Sequence, residues 1–389
     1  MNTVKEEVIA KFIESKYYRI ELNPKNCRIT RVYDKLNDWE IIAQENHFTF
    51  FQFVQEKTDP LFKNERNFFY ARNLEQEKFD ISCWNTEWKR IRTTAYKPLG
   101  YEITKNQTNI TLTLSFDVPG CDWFKQKFIL HQNKAYIEIK IEMMKQDIRT
   151  PESIYLATPL NLKKNWQCAF DTAGVPTLLD EDQLPGASRD WFTVEKFVAM
   201  YDGDKCAALF CPHAPMIQAG GFNFGNRSEA IPRDENPLLV AWPLNNYWDT
   251  NFRPSQPGYI DLTYYLKSYK SYDESEVFTD AQEVMLPVET HPYLSMPEGG
   301  MVQLINLSSD KLKVLHQKKS EDGTGIVMRV INLDNKNEEF KIEFPGRKII
   351  EAYHTSTFED LKEKLPVKDS SVNISLKYKQ ITTLFVKFS

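Results

Sequence analysis

The feature that most constrains this chain is a hydrophobic period of two. Between Ile110 and Val118 the apolar residues Ile110, Leu112, Leu114, Phe116 and Val118 alternate with polar ones, and Ile137, Ile139, Ile141 and Met143 alternate with Glu138, Lys140 and Glu142. The pattern returns at Tyr18, Ile20 and Leu22, at Phe340, Ile342 and Phe344, and at Val372, Ile374, Leu376 and Tyr378. Successive side chains of a strand point to opposite faces. Such segments therefore lay one face on a core and the other in water, as antiparallel sheets do. Helical stretches are expected only in the first dozen residues and at Phe358–Leu365, so strands do not alternate with helices and a parallel βαβ fold is not expected. The expected class is all-β and sandwich-like.

With 389 residues the chain can bury more than one core. The Pro/Gly-rich run HPYLSMPEGG, His291 to Gly300, reads as a linker. It divides an expected large β domain (1–290) from a small C-terminal β-sandwich (291–389), with a quieter boundary near Arg149–Pro151. No run of about twenty apolar residues occurs, and the first residues are acidic without an apolar h-region. These points lead to the expectation of a cytoplasmic protein with no membrane partner. A net charge of −5 argues against a nucleic-acid partner. The six cysteines show no C-x-x-C pair and read as buried small hydrophobes. Aromatic residues make up 13% of the chain, which suits stacking on sugar rings but is explained more simply by β-sandwich cores.

Local catalytic signatures are missing. The six histidines, His47, His131, His213, His291, His316 and His354, form no H-x-H, H-x-D or H-E-x-x-H spacing, so no metal site is encoded locally. No nucleophile elbow, P-loop or dinucleotide fingerprint is present. His213, within Cys-Pro-His-Ala-Pro, is expected to bond the backbone at a strand end. Glycosidases need two carboxylates about 5–10 Å apart. Asp180, Glu181, Asp182 and Asp190 are close in sequence, and a solvated acidic loop explains that cluster more simply.

The most unusual segment is NNYWDTNFRPSQPG, Asn245 to Gly258. Pro254 and Pro257 remove ladder donors, and Asn and Asp favour turns, so it is a poor strand. A long polar, aromatic loop on a β scaffold is a common place for binding groups. Its amides and Arg253 can bond sugar hydroxyls while Tyr247 or Trp248 stacks on a ring. A rigid plug whose Asn side chains satisfy backbone groups accounts for the composition equally well. DEDQLPGASRDW, Asp180 to Trp191, is a Gly/Pro turn followed by Arg189 and Asp190, and RTPESIYLATPL, Arg149 to Leu160, is a strand with proline punctuation.

Taken in order, Tyr17 to Lys35, the Arg149 segment, QLPG…RDW, the APMIQAGG loop (Ala214 to Gly221), NNYWDTNFRPSQPG and the terminal ITTLFVKF make this chain resemble the C-terminal portion of glycoside hydrolase family 38 α-mannosidases, particularly bacterial members. The likeness runs over essentially the whole chain and is most specific around WDTNF…QPG. It implies a galactose-mutarotase-like supersandwich followed by a smaller β-sandwich. It also implies that the zinc site and the catalytic carboxylates belong to an N-terminal α/β domain. Nothing here matches that domain's His-x-Asp motif, so no catalytic residue and no cofactor carries over to this chain.

What the resemblance does carry over is a role bordering the glycan cleft, placed on Asn245, Asn246, Trp248, Asp249, Asn251, Arg253 and Gln256, with Arg189 and Asp190 beside them. The implied partners are a mannose-containing glycan and an α-mannosidase catalytic domain in cis or trans. One departure is His213-Ala214-Pro215, where relatives commonly have Asp-Ala-Pro. Two other functions compete with a non-catalytic, cleft-bordering half. One is a free-standing carbohydrate-binding protein. The other is a stand-alone supersandwich enzyme, an epimerase or a polysaccharide lyase, which requires His213, Tyr247 or Arg253 to converge in one cleft.

Overall fold

The fold was obtained as a computed structural model. It describes residues 11–58, 90–150, 152–225, 231, 233, 237–246, 255–286 and 304–389. The chain divides into two compact units, Met1–Tyr272 and Asp273–Ser389. The linker expected at His291–Gly300 lies outside the described residues. The expected all-β class holds: among the described residues strands dominate and one α-helix, Glu274–Met285, occurs. No helix there is long and apolar enough to cross a membrane.

The first unit is built on a nine-stranded and a six-stranded sheet, with a four-stranded sheet of residues 12–40 beside them. In the nine-stranded sheet Ile137–Lys145 lies between Cys121–His131 and Gly258–Tyr269, and every neighbouring pair is antiparallel. The alternation translates directly: Ile137, Ile139, Ile141 and Met143 are fully buried, while the residues between them are half-buried. Their inner face meets Phe53, Ile154, Leu156 and Leu239 of the six-stranded sheet in one core. The four-stranded sheet is tied on by a buried chain in which Ser268 Oγ donates to Asp34 Oδ2 at 2.6 Å and lies 3.1 Å from the Tyr18 hydroxyl.

The six-stranded sheet runs Phe192–Thr193, Met216–Ala219, Leu238–Asn245, Glu152–Pro159, Gln52–Thr58, Arg90–Thr93. Its second face is also covered. Tyr155, Val240 and Trp242 point away from the main core into a separate aromatic cluster with Phe222, Phe224 and Trp191. Consequently Glu152–Pro159 is buried at all eight positions.

The second unit pairs a five-stranded with a four-stranded sheet around Met328, Phe340, Phe344, Ile374 and Leu384. Phe340, Ile342 and Phe344 point inward as expected, and so do Val372, Ile374 and Leu376. Tyr378 does not: the strand ends at Leu376 and Lys379 turns with φ 58°, leaving Tyr378 41% exposed. The helix expected at Phe358–Leu365 is instead a turn and the edge strand Leu361–Lys364, which pairs with Ile349–Thr355. The helix that does form, Glu274–Met285, starts where the Asp273 side chain accepts from the Glu276 amide at 2.9 Å, and it buries Val277, Phe278 and Ala281.

Candidate functional site

Isoleucines and a methionine fill the inward positions of Ile137–Lys145 up to its last residue, where the inward side chain is Lys145. A lysine there cannot remain unpaired, because burying an ammonium without a partner is far costlier than burying an apolar group. Its partner is Glu152, the first residue of a strand in the opposite sheet. The two side chains are only 6% and 5% exposed. Gln55 Nε2 donates to the other Glu152 oxygen at 2.8 Å, and Lys145 Nζ also donates to the Gln146 carbonyl at 3.2 Å. One end of the sandwich is thus closed by a hydrogen-bonded ion pair joining its two sheets. Gly120, at φ +81°, leaves room for it, since a Cβ there would lie 2.9 Å from Gln55 Nε2.

Above this pair opens a cleft of about 210 Å³, lined by Lys145, Glu152, Asn245, Asn246, Ser255 and Gln256 among others. Three of the residues expected to border a glycan, Asn245, Asn246 and Gln256, therefore come together. Their roles differ. Asn246 is 9% exposed and fully engaged. Its Oδ1 accepts from the Glu152 amide at 2.6 Å, and its Nδ2 donates to the Ile148 and Thr150 carbonyls at 2.8 and 3.0 Å. It pins the crossover between the two sheets, as the plug reading of this segment requires. Asn245 is half-buried at the cleft wall and Gln256 is exposed at the rim. Ser255 Oγ donates to Asp147 at 3.0 Å. Trp248, Asp249, Asn251 and Arg253 lie outside the described residues, as does Tyr247.

Arg189 and Asp190 do not line this cleft. Asp190 is buried and accepts from Ser188 Oγ and from the Gly225 amide, the latter at 2.8 Å. Arg189 Nη1 donates to the Asp180 carbonyl at 3.1 Å. His213 Nδ1 accepts from the Thr263 amide at 3.0 Å, the backbone role expected of it.

Lys145, Glu152 and Gln55 were not singled out from the sequence, although a lysine on the inward register of an otherwise apolar alternation is a visible signal. A second unforeseen group lies on the outer face of the six-stranded sheet. Glu56, fully buried, accepts from the Tyr155 hydroxyl at 3.1 Å and from Arg92 Nε at 2.6 Å. Burial and the Glu56 charge together push the Tyr155 hydroxyl far above its ordinary pKa, so it stays a donor. Burial also pushes the Cys121 and Cys168 thiols up to about 12, which makes both poor nucleophiles. Among the described residues no three His, Cys, Asp or Glu side chains gather in a metal-ligating group, so they do not fit a zinc ion.

Residues 311–384 match the family model described as glycosyl hydrolases family 38 C-terminal beta sandwich domain. The matched stretch lies within the second unit. An α-mannosidase from Enterococcus faecalis V583 superposes on 96% of this chain and 42% of its own, with a TM-score of 0.65 and 12% identity. A family 38 glycosyl hydrolase protein from Enterococcus faecalis matches 96% of this chain and 44% of its own, again at 0.65 and 12%. At that identity the likeness is one of fold, and the chain spans less than half the length of either structure. A galactose mutarotase-like protein from Lactobacillus casei covers 66% of this chain and 99% of its own, at 9% identity and a TM-score of 0.36. No curated protein sequence matches the chain.

Proposed function

We propose that this chain is the non-catalytic β portion of an α-mannosidase-type glycoside hydrolase, supporting a catalytic domain supplied in cis or trans and bordering its glycan cleft. The observation that carries the reading is the pairing of a match to the family 38 C-terminal domain with 96% coverage onto part of a longer α-mannosidase. The cleft at the Lys145–Glu152 end is the part of the chain that borders the glycan. Asn245 and Gln256 offer side-chain amides to neutral hydroxyls, and the Asn245–Gly258 segment continues from its wall. Asn246 acts by holding that wall in place. Zinc and the two reacting carboxylates belong to the partner domain in this proposal, and the described residues take no chemical step themselves.

The test is hydrolysis of aryl α-mannosides. The chain alone, with or without added zinc, is expected to give no turnover above buffer. Co-expression with a zinc-ligating catalytic half encoded upstream or in an adjacent reading frame is expected to give a complex with activity that neither half shows alone. In that complex Gln256→Ala should raise KM severalfold with kcat little changed, as loss of uniform binding does. Turnover by the isolated chain would overturn the proposal.

A further inference from the structure

A second concavity lies at the other end of the large sandwich. The strand Gly258–Tyr269 connects the two places: Gly258 pairs with Lys145 of the cleft, and Tyr269 pairs with Cys206, itself the partner of Tyr201. Twelve residues at about 3.3 Å each put the two places roughly 35 Å apart. This second hollow, of about 310 Å³, is lined by Lys164, Trp166, Asp180, Glu181, Tyr201 and Arg233 among others. It is at the small end of the range for ligand pockets, roughly 300–1,000 Å³, and suits one ring better than a chain of rings.

Its polar groups are fixed in advance. Arg233 grips the Asp180 carboxylate with Nε at 2.8 Å and Nη2 at 3.0 Å. Nη1 also donates to the Ala219 carbonyl at 2.8 Å and Nη2 to the Arg189 carbonyl at 3.2 Å. Arg233 is thus anchored by two backbone carbonyls and holds Asp180 with two further hydrogen bonds, while the Asp180 side chain stays 38% exposed with lone pairs free to accept. Two backbone positions are given over to this arrangement. Asp180 has a left-handed φ of 67°, and Gly220, at φ +72°, sits where a Cβ would lie 2.7 Å from Arg233 Cβ and 2.8 Å from the Trp166 ring. Tyr201 is held by a parallel stack on Tyr272, with centroids 4.4 Å apart and planes at 9°.

We infer that this hollow is a binding subsite for a single neutral pyranose, with Trp166 as the apolar surface and the Arg233-held Asp180 carboxylate as acceptor for sugar hydroxyls. The lining carries two cations, Lys164 and Arg233, and two anions, Asp180 and Glu181, with Arg189 Nη1 3.8 Å from Asp180 Oδ1; the group offered to a ligand is the Asp180 carboxylate, which accepts from neutral hydroxyls and repels an anionic sugar. An aromatic surface beside a preset, half-exposed carboxylate is complementary to the apolar face and the hydroxyl rim of a pyranose. The inference does not depend on the role proposed for the Lys145–Glu152 cleft, and either can fail without the other.

The experiment is fluorine NMR of the full chain carrying fluorotryptophan, with the Trp166 resonance assigned by its absence from Trp166→Phe. Titration with methyl α-mannopyranoside or methyl β-glucopyranoside to about 100 mM is expected to shift the Trp166 line saturably, with a millimolar Kd. Glucuronate should bind no more tightly than the neutral sugars. Asp180→Asn should weaken the response about tenfold, the loss expected for one charge-assisted hydrogen bond. Asn245→Ala, in the remote cleft, should leave it unchanged. An unmoved Trp166 line at the highest concentration overturns the inference. So does a shift that survives Asp180→Asn undiminished or disappears in Asn245→Ala.

Discussion

The two large sheets of the first unit share one core and treat their other faces in opposite ways. The nine-stranded sheet turns Glu138, Lys140, Glu142 and Lys127 outward from its central strands and pairs them by charge. The six-stranded sheet covers its second face with Trp242, Tyr155, Phe222 and Phe224, and sinks Glu56 among them. The same backbone geometry thus gives one face where side chains are interchangeable and another where each polar atom needs an assigned partner. The candidate cleft belongs to neither outer face: Lys145 from the first sheet and Glu152 from the second both lie on the inward registers and close one end of the shared core.

The sharpest way to test that contrast is to remove one half of the enclosed pair. Glu152→Ala leaves Lys145 buried and uncompensated, and should cost about 3–5 kcal/mol in urea unfolding. The double change Lys145→Met with Glu152→Leu should recover most of that loss, since a matched apolar pair pays no desolvation penalty. Should Glu152→Ala prove neutral, the pair is solvated and the two sheets are not bridged as described. Trp242→Ala probes the covered outer face. It empties the centre of the aromatic cluster and removes the indole that donates to Ser153 Oγ at 2.9 Å, at a cost of about 3–5 kcal/mol by the same measurement.

The same contrast explains what was legible in the sequence. Ile137–Met143 could be read because its strand is half-buried and burial alternates with position. Phe197–Tyr201 and Cys206–Phe210 are buried at every position, so they carry no period and are indistinguishable by pattern from a short buried helix. The helix Glu274–Met285 was missed despite its Asp273 cap, because only a few of its positions are buried and the apolar stripe is thin. In Phe358–Leu365, propensity pointed to a helix and edge pairing with Ile349–Thr355 prevailed. At the site, the composition around Asn245 and Gln256 was visible, whereas the pairing of Lys145 with Glu152 depends on which strands of two different sheets come opposite each other. Arg189 and Asp190 adjoin in the chain, yet one caps the Asp180 carbonyl and the other binds the Gly225 amide.

A smaller effect separates the two environments by pH. At Glu138 burial works to raise the pKa, but the hydrogen bond with His131 and the charge of Lys140 outweigh it and hold the carboxyl below its ordinary 4.5. A folded pKa below the unfolded one gives stability that is fully present above 4.5 and lost as the pH falls through the folded value. Asp171 is fully buried. There desolvation prevails over the amides of Phe197 and Lys196 and the Lys196 charge, and the pKa lies above the ordinary 3.8. Its sign is reversed: the folded state binds the proton more tightly, so the penalty stands above the folded pKa and is relieved as the pH falls towards 3.8. Carboxyl-carbon NMR titration should therefore find Glu138 below 4.5 and Asp171 above 3.8, and two midpoints at ordinary values would erase the distinction.

The least change is expected on the open face. Lys127 donates to Glu142 Oε1 at 2.5 Å from the neighbouring strand, but the two side chains are 30% and 21% exposed. Water screens the pair and ordering two long side chains costs entropy, so Lys127→Ala should alter unfolding free energy by about 0–1 kcal/mol, and by less still in high salt. The informative result is the comparison with Glu152→Ala under identical conditions. Both changes break one lysine–carboxylate pair in the same unit; Glu152→Ala removes the acid and the Gln55 hydrogen bond with it, Lys127→Ala removes the base, and the two pairs differ chiefly in enclosure. A loss at Lys127 approaching that at Glu152 would mean that the outer face of the nine-stranded sheet is itself covered, which would turn its charge ladder from a solvated surface into an interface.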